Sequence, residues 1–273
     1  MTPQSPASYL PAVEEIARDA GAVLMKHFRR LETYDKKGAI DLQTVADRES
    51  EETVVSAILE RFPDHAILGE EGGRAGNADS DYVWIADPLD GTTNYAHGLR
   101  IFCVSLALVH KGEPLAGAVF APALDEMYLA ALGTGATRNG ETLRVSTADT
   151  LDDSLIVTGF PYNRRDHLDS LMGMHREVLA RSRGVLRMGA AALDLAFVAA
   201  GHFEGYYEYG IHPWDVAAGV LMIREAGGQA SGLLAGEEFD VYKPRLLATN
   251  GLIHEELQAA ITAGGADKMP YKI

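Results

Sequence analysis

Cysteine is almost missing from this 273-residue chain, which has Cys103 and no other. No disulfide can form within it, cysteine-based zinc arrangements are excluded, and no His-Glu-x-x-His segment offers the other common zinc geometry. Cys103 sits in an apolar run and is expected to be a buried core thiol. Cations are in short supply too: 24 Lys and Arg stand against 39 Asp and Glu. The net charge of −15 repels polyanions, so no nucleic-acid partner is expected. The local exception, Lys26, His27, Arg29 and Arg30, ends a helical pattern and reads as cations near a helix C-terminus. Long apolar runs are lacking. The two longest, residues 101–109 and 190–200, are too short to cross a bilayer and carry Ser105 and Asp194, so no membrane partner is expected. Residues 1–8 have neither a cationic start nor an apolar core; no signal peptide is expected, and the expected location is cytoplasmic. There is no Gly-Lys-Ser/Thr loop for nucleoside triphosphates and no Gly-x-Ser-x-Gly elbow of a serine hydrolase.

What is present is an ordinary globular composition, 47% hydrophobic and 23% charged, at a length that suits two packed domains. Residues 8–30 place Leu10, Val13, Ile16, Ala20, Val23, Leu24, His27 and Phe28 on one stripe, which predicts an amphipathic helix. A second helix is predicted over 47–62, with Val54, Val55, Ile58, Leu59 and Phe62 facing inward and Pro63 closing it. Short strands are predicted at 66–68 and 82–86. From 101 to 145, β-like runs broken by Lys111-Gly112-Glu113 and Asn139-Gly140 predict an antiparallel meander. Beyond about residue 150, strands (154–158, 184–188, 203–208) alternate with helices (166–180, 190–200, 213–226), which predicts an α/β layer. The expected organisation is an α+β domain of residues 1–147 followed by an α/β domain of residues 148–273, with a soft boundary near 146–153.

Residues 82–94, Tyr-Val-Trp-Ile-Ala-Asp-Pro-Leu-Asp-Gly-Thr-Thr-Asn, say most about function. An apolar strand breaks at Asp87-Pro88, and a second carboxylate, Asp90, follows three residues on with Gly91 and two threonines behind it. Acidic oxygens suit a hard cation, and free backbone N–H groups suit a phosphate. Asp41, Asp47, Glu70, Glu71 and Asp215 lie outside ordinary helix faces as well. Taken singly, Asp47 and Asp215 read as helix caps, Glu70-Glu71 as a solvated turn, and Asp87-Pro88 as a turn opener. Taken together beside a buried strand, they are costly unless cations neutralise them. Magnesium takes oxygen ligands, and two ions roughly 4 Å apart clamp both oxygens of an in-line displacement. The segment lacks the Asp-x-Asp-x-Asp-Gly spacing of a calcium loop. These residues point to a magnesium-dependent phosphate monoester hydrolase.

Gly69-Glu70-Glu71, the run from Asp87 to Asn94, Trp214-Asp215-Val216-Ala217-Ala218-Gly219 and Glu225-Ala226-Gly227-Gly228 resemble, in the same order, the signatures of the inositol monophosphatases, most closely the bacterial branch. The resemblance implies a layered α/β/α/β/α sandwich shared with fructose-1,6-bisphosphatases, lithium sensitivity, a homodimer, and two to three Mg²⁺ ions. It implies that Glu70, Asp87 and the Leu89 carbonyl hold one ion, that Asp87, Asp90 and Asp215 hold a second, and that Glu70 helps hold a weaker third. Thr92, bonded to Asp47, would orient the attacking water, and Glu70, Thr92 and Asp47 form the catalytic set. Gly91 and Thr92 would hold the phosphate. Asp90, Asp215, Glu208 and the segment Gly189-Ala190-Ala191 would meet the substrate, a small phosphorylated polyol, while Lys36 and Asp41 match a metal-associated loop. Ala190 departs from the family, which usually has Ser or Thr there. Other substrates served by the same scaffold are histidinol phosphate, bisphosphorylated nucleotides and fructose bisphosphate. A bisphosphate would call on cations such as Arg164, Arg165, Arg183 or Arg187. A catalytically weak regulatory relative is the reading from a different class.

Overall fold

The computed structural model describes residues 5–30, 35–36 and 42–270, with backbone alone for 35, 36 and 42. Helix α1 (Leu10–His27) buries Val13, Ile16, Ala17, Ala20, Gly21 and Leu24, the stripe its spacing predicts. Its basic end behaves as expected near a helix C-terminus: Lys26 and His27 both reach Glu49, at 2.9 and 2.8 Å, and Arg29 donates to the Gly98 carbonyl. After the two-residue strands β1 (Asp35–Lys36) and β2 (Leu42–Gln43), which pair with each other, comes α2 (Val45–Arg61).

Helix α2 departs from expectation in two ways. It starts two residues early, with Thr44 as N-cap and Asp47 inside its first turn. Its buried face is Ala46, Asp47, Ser50, Glu51, Val54 and Ile58, whereas Leu59 is exposed. Counting apolar residues shifts the face toward 55 and 59 because half of the buried stripe is polar. That polar half faces the site described below.

Strands β3 (Ala66–Gly69), β4 (Gly73–Gly76) and β5 (Tyr82–Asp90) lead into the short helix α3 (Thr92–Ala96) and the meander. The meander comprises β6 (Cys103–His110), β7 (Glu113–Ala121), β8 (Glu126–Ala131), β9 (Gly135–Arg138) and β10 (Glu141–Thr142). These strands form one sheet in the order β10-β9-β8-β7-β6-β5-β3-β4. The meander pairs antiparallel throughout, as tight turns require, and β3 runs parallel to β5. Strand β6 is buried from Cys103 to Val109 because helices cover both of its faces.

The second half builds β11 (Leu155–Thr158), α4 (Leu168–Leu179), β12 (Gly184–Leu186), α5 (Ala191–Ala199), β13 (Gly205–Tyr209), α6 (Pro213–Glu225), β14 (Gln229–Ser231), β15 (Arg245–Thr249) and α7 (His254–Ala263). Its five strands lie in the order β12-β11-β13-β15-β14, parallel from β12 to β13 and antiparallel beyond. Helices α1 and α2 cover one face of the large sheet, and α5 and α6 fill the space between the sheets. Helices α4 and α7 close the far face of the small sheet. The result is the expected five-layer α/β/α/β/α sandwich. The central core runs across residues 146–153, joining Tyr128 and Val119 of the first sheet to Leu195, Val220 and Tyr206 of the second half. Gly219 permits the tight α5–α6 contact, since a Cβ there would sit 2.5 Å from Leu195 Cβ.

Candidate active site

Strand β5 does not end at Asp87, as its apolar run suggests. Regular pairing with β6 reaches Asp87 opposite Ser105, breaks at Pro88-Leu89, and resumes with Asp90 opposite Cys103. Pro88 has no N–H to donate to the ladder, and the Leu89 N–H turns back to Asp87 Oδ1 at 2.9 Å. Residues three apart on a regular strand face opposite ways. The irregularity cancels that alternation, and both carboxylates point into one space.

Asp215 joins them from another direction. It stands in the first turn of α6, where the His212 N–H donates to its Oδ2 at 2.8 Å. Asp87, Asp90 and Asp215 each offer a carboxylate oxygen within 4.8 Å of the others. Glu70 stands half-buried in the turn after β3, and its charge acts on both Asp87 and Asp215. Burial first, then the charges of Glu70, Asp90 and Asp215, hold the Asp87 carboxyl well above the usual carboxylate range. Burial and then the charges of Asp90 and Glu70 do the same to Asp215. Burial pushes Asp90 up to about 6, against the pull of the Ala192 N–H at 2.7 Å, the Cys103 thiol at 3.6 Å and the Ala191 N–H at 3.2 Å. Three carboxyls so held, with the charge of Glu70 beside them, resist ionising together. Oxygen donors in this number and spacing fit a hard divalent cation, whose charge would remove that resistance.

Around the acidic group, Asp47 of the polar stripe of α2 makes three contacts. Asp47 accepts the Thr44 N–H and hydroxyl at 2.7 and 2.6 Å, and its other oxygen accepts the Thr92 hydroxyl at 3.2 Å. The Thr92 hydroxyl also lies 3.0 Å from the Leu89 carbonyl. Asp47 and Asp215 both cap from the third helical position, not from the N-cap itself. Gly91 adopts φ 92°, a left-handed turn in which a Cβ would meet the Ile101 carbonyl at 2.9 Å.

A cavity of about 510 Å³ opens over these residues. Asp90, Gly91, Thr92, Gly189, Ala190, Ala191, Glu208 and Asp215, all singled out from the sequence, line it. Asp47, Glu70, Asp87 and Leu89 are not in that lining. Of the four arginines considered for a second phosphate, Arg164 and Arg187 line the cavity, whereas Arg183 pairs with Asp153 at 2.6 Å. Within the segment Gly189-Ala190-Ala191, the Ala191 N–H donates to Asp90. Asp41 lies outside the described residues, and of Lys36 the backbone alone is described.

Two contributors escape motif reading. Tyr206 donates its hydroxyl to Glu208 Oε2. Burial still pushes Glu208 up to about 7, with Arg187 acting in the opposite sense. Asp194 lines the cavity from α5, and its Oδ1 is buried without a hydrogen-bond partner among the described residues. The available signal was an aspartate in the otherwise apolar run 190–200.

The sequence profile of the inositol monophosphatase family matches residues 6–265. The chain belongs to the inositol monophosphatase family. It is 42% identical over 263 residues to an inositol-1-monophosphatase of Synechocystis sp., covering 96% of this chain and 91% of that one. It is 42% identical over 240 residues to the Nus factor SuhB of Pseudomonas aeruginosa, covering 86% and 88%. Its fold superposes on the structure of the inositol monophosphatase from Anabaena (Nostoc) sp. with a TM-score of 0.86, at 42% identity and 97% coverage of both chains. Membership makes the chain a phosphatase, a phosphoric monoester hydrolase with the fructose-bisphosphatase-like fold. No helix among the described residues is long and apolar enough to cross a membrane.

Proposed function

We propose that this chain hydrolyses the phosphate monoester of a small polyol, inositol 1-phosphate foremost, with two to three Mg²⁺ ions. The observation that carries the reading is the convergence of Asp87, Asp90 and Asp215 at a cavity that Glu208 also lines. Glu70, Asp87, the Leu89 carbonyl, Asp90 and Asp215 would hold the ions. Bound there, Mg²⁺ supplies the positive charge that admits a phosphate among carboxylates and makes water more acidic.

The remaining work falls to positioning. Thr92 commits its proton toward Asp47 and Leu89, which leaves its oxygen lone pairs to aim a water molecule. Asp47 is fixed by Thr44, so the direction of that hydroxyl is fixed too. Backbone N–H groups of Gly91 and Thr92 face the phosphate. Glu208, held by Tyr206, accepts hydroxyl protons of the polyol, and its negative charge disfavours a second phosphate there. Asp194 adds a further acidic group beside it, while Ala190 contributes no hydroxyl. Residues 1–147 thereby supply most of the cation ligands, and residues 148–273 supply Asp215 and the polyol wall.

A phosphate-release assay with Mg²⁺ tests this on inositol 1-phosphate, histidinol phosphate, 3′-phosphoadenosine 5′-phosphate and fructose bisphosphate side by side. The expected result is highest kcat/KM on the inositol ester and inhibition by millimolar Li⁺. Preference for either bisphosphate would shift the reading to the cations Arg164 and Arg187. No phosphate release from any of the four would favour the regulatory reading, to which the name of the Pseudomonas relative lends interest.

We also propose a homodimer. Leu168, Met172 and Leu179 form an exposed stripe on α4, and Leu186 is exposed on β12, the last strand of its sheet. Covering that face by a second copy would bury it. Sedimentation velocity at assay concentration should give twice the 29.4 kDa chain mass, and a single-chain mass would remove the proposal.

A further inference from the structure

The buried polar stripe of α2 has a third member with no role so far, Glu51. It lies one turn after Asp47 and is 8% exposed. Strands β3 and β4 pair from Ala66 opposite Gly76 to Gly69 opposite Gly73, so Glu70, Glu71 and Gly72 form the tip of a hairpin. The Glu51 carboxylate sits inside that tip. Its Oε1 accepts the Glu71 N–H at 3.2 Å. A Cβ added to Gly69 would lie 2.1 Å from the same oxygen, and one added to Gly72 would lie 3.3 Å from Oε2. The two glycines thus leave room for the carboxylate and for nothing larger. From the neighbouring strand β5, which pairs with β3 on its other side, the Ala86 carbonyl, next to Asp87, accepts the Glu70 N–H at 3.2 Å. Glu70 therefore sits between two backbone anchors, one from β5 and one from Glu51. The neighbouring Ser50 hydroxyl holds the Pro88 carbonyl at 3.0 Å in the same fashion.

We infer that Glu51 is a positioning residue: its carboxylate holds the Glu70–Gly72 tip so that Glu70 faces the cation site. The inference rests on the reading of Glu70 as a cation ligand. Outer groups that orient a ligand change metal affinity by roughly 10–100-fold when removed. The alternative is purely electrostatic, with Glu51 lending negative charge to the site from a distance. The two accounts order the variants oppositely. Positioning needs an acceptor of the right reach, so Glu51→Gln retains the contact with the Glu71 N–H, whereas Glu51→Asp, one methylene shorter, loses it. An electrostatic role needs charge, so Asp would serve and Gln would not.

The test is Mn²⁺ binding to the metal-free, substrate-free protein, followed by electron paramagnetic resonance, with activity against Mg²⁺ concentration as a second readout. Expected are a loss of affinity on the order of 10-fold or more for Glu51→Ala and Glu51→Asp, near-wild-type affinity for Glu51→Gln, and recovery of Glu51→Ala turnover at high Mg²⁺. Stronger binding by Glu51→Asp than by Glu51→Gln, or wild-type affinity in Glu51→Ala, overturns the proposal. If Glu51→Ala does not fold, the Gln-against-Asp order still decides. Glu70→Ala is the control. Unchanged Mn²⁺ affinity in that variant would remove Glu70 from the ligand set, a different failure from that of Glu51.

Discussion

Asp90→Asn should lower kcat with saturating Mg²⁺ by about 10³-fold or more, while the metal-free protein melts close to wild type. The first half follows from the loss of a charged oxygen where transition-state charge stabilisation is worth several kcal/mol, each 1.4 kcal/mol being tenfold in rate. The second half is a balance. Asn can accept from only one of the two N–H groups, Ala191 and Ala192, that now donate to separate oxygens of Asp90. An orphaned buried N–H costs about 1–3 kcal/mol. Against this, the substitution removes a buried charge from beside Asp87 and Asp215. Phosphate release and thermal melting of the same preparation check both halves. Wild-type turnover in Asp90→Asn would remove this residue from the ligand set.

The second large effect is on stability, and its sign follows from the direction of the carboxyl shifts. Asp90 is raised to about 6 and Glu208 to about 7, and Asp87 and Asp215 are raised as well. Between the ordinary carboxylate range near pH 4 and those raised values, the metal-free folded chain holds protons that the unfolded chain has released. Its stability therefore falls as pH rises through this window. A bound cation offsets the loss, because it favours the ionised carboxylates. The melting-temperature increment caused by Mg²⁺ should be small near pH 5 and reach about 5–10 °C near pH 8 at roughly 100 times the dissociation constant. His254, buried between Ser231 and Thr249, is shifted downward by burial and weakens the fold in acid. That effect is the same with and without Mg²⁺ and drops out of the increment. Melting curves from pH 5 to 8, with Mg²⁺ and with EDTA, make the measurement. An increment that does not grow with pH would contradict the assignment of these carboxylates to cation binding.

Local rules carry much of the fold. The stripe of α1, the turn residues of the 101–145 meander and the strand–helix alternation after residue 150 each act over a few residues, so periodicity and turn chemistry are sufficient to read them. Elements with weaker local signals were not legible. Strand β15 contains Arg245, which is buried because Glu237 pairs with it at 3.0 Å, a partner that no local pattern announces. Helix α7 opens on a buried histidine followed by two glutamates.

The residue types of the site stood in the chain from the start: two aspartates three apart, glycine, two threonines, and acidic groups in three other segments. Sequence determines that chemistry, because several carboxylates buried together are costly unless a cation neutralises them. Their convergence was decided elsewhere. The break at Pro88-Leu89 turns Asp90 to the side of Asp87, α6 brings Asp215 from 125 positions away in the chain (215 against 90), and α2 spends half its inner face on Asp47, Ser50 and Glu51. Distance between side chains depends on how sheets and helices stack, a property no local window contains. That is why the donors were readable one by one, and their geometry only in the fold.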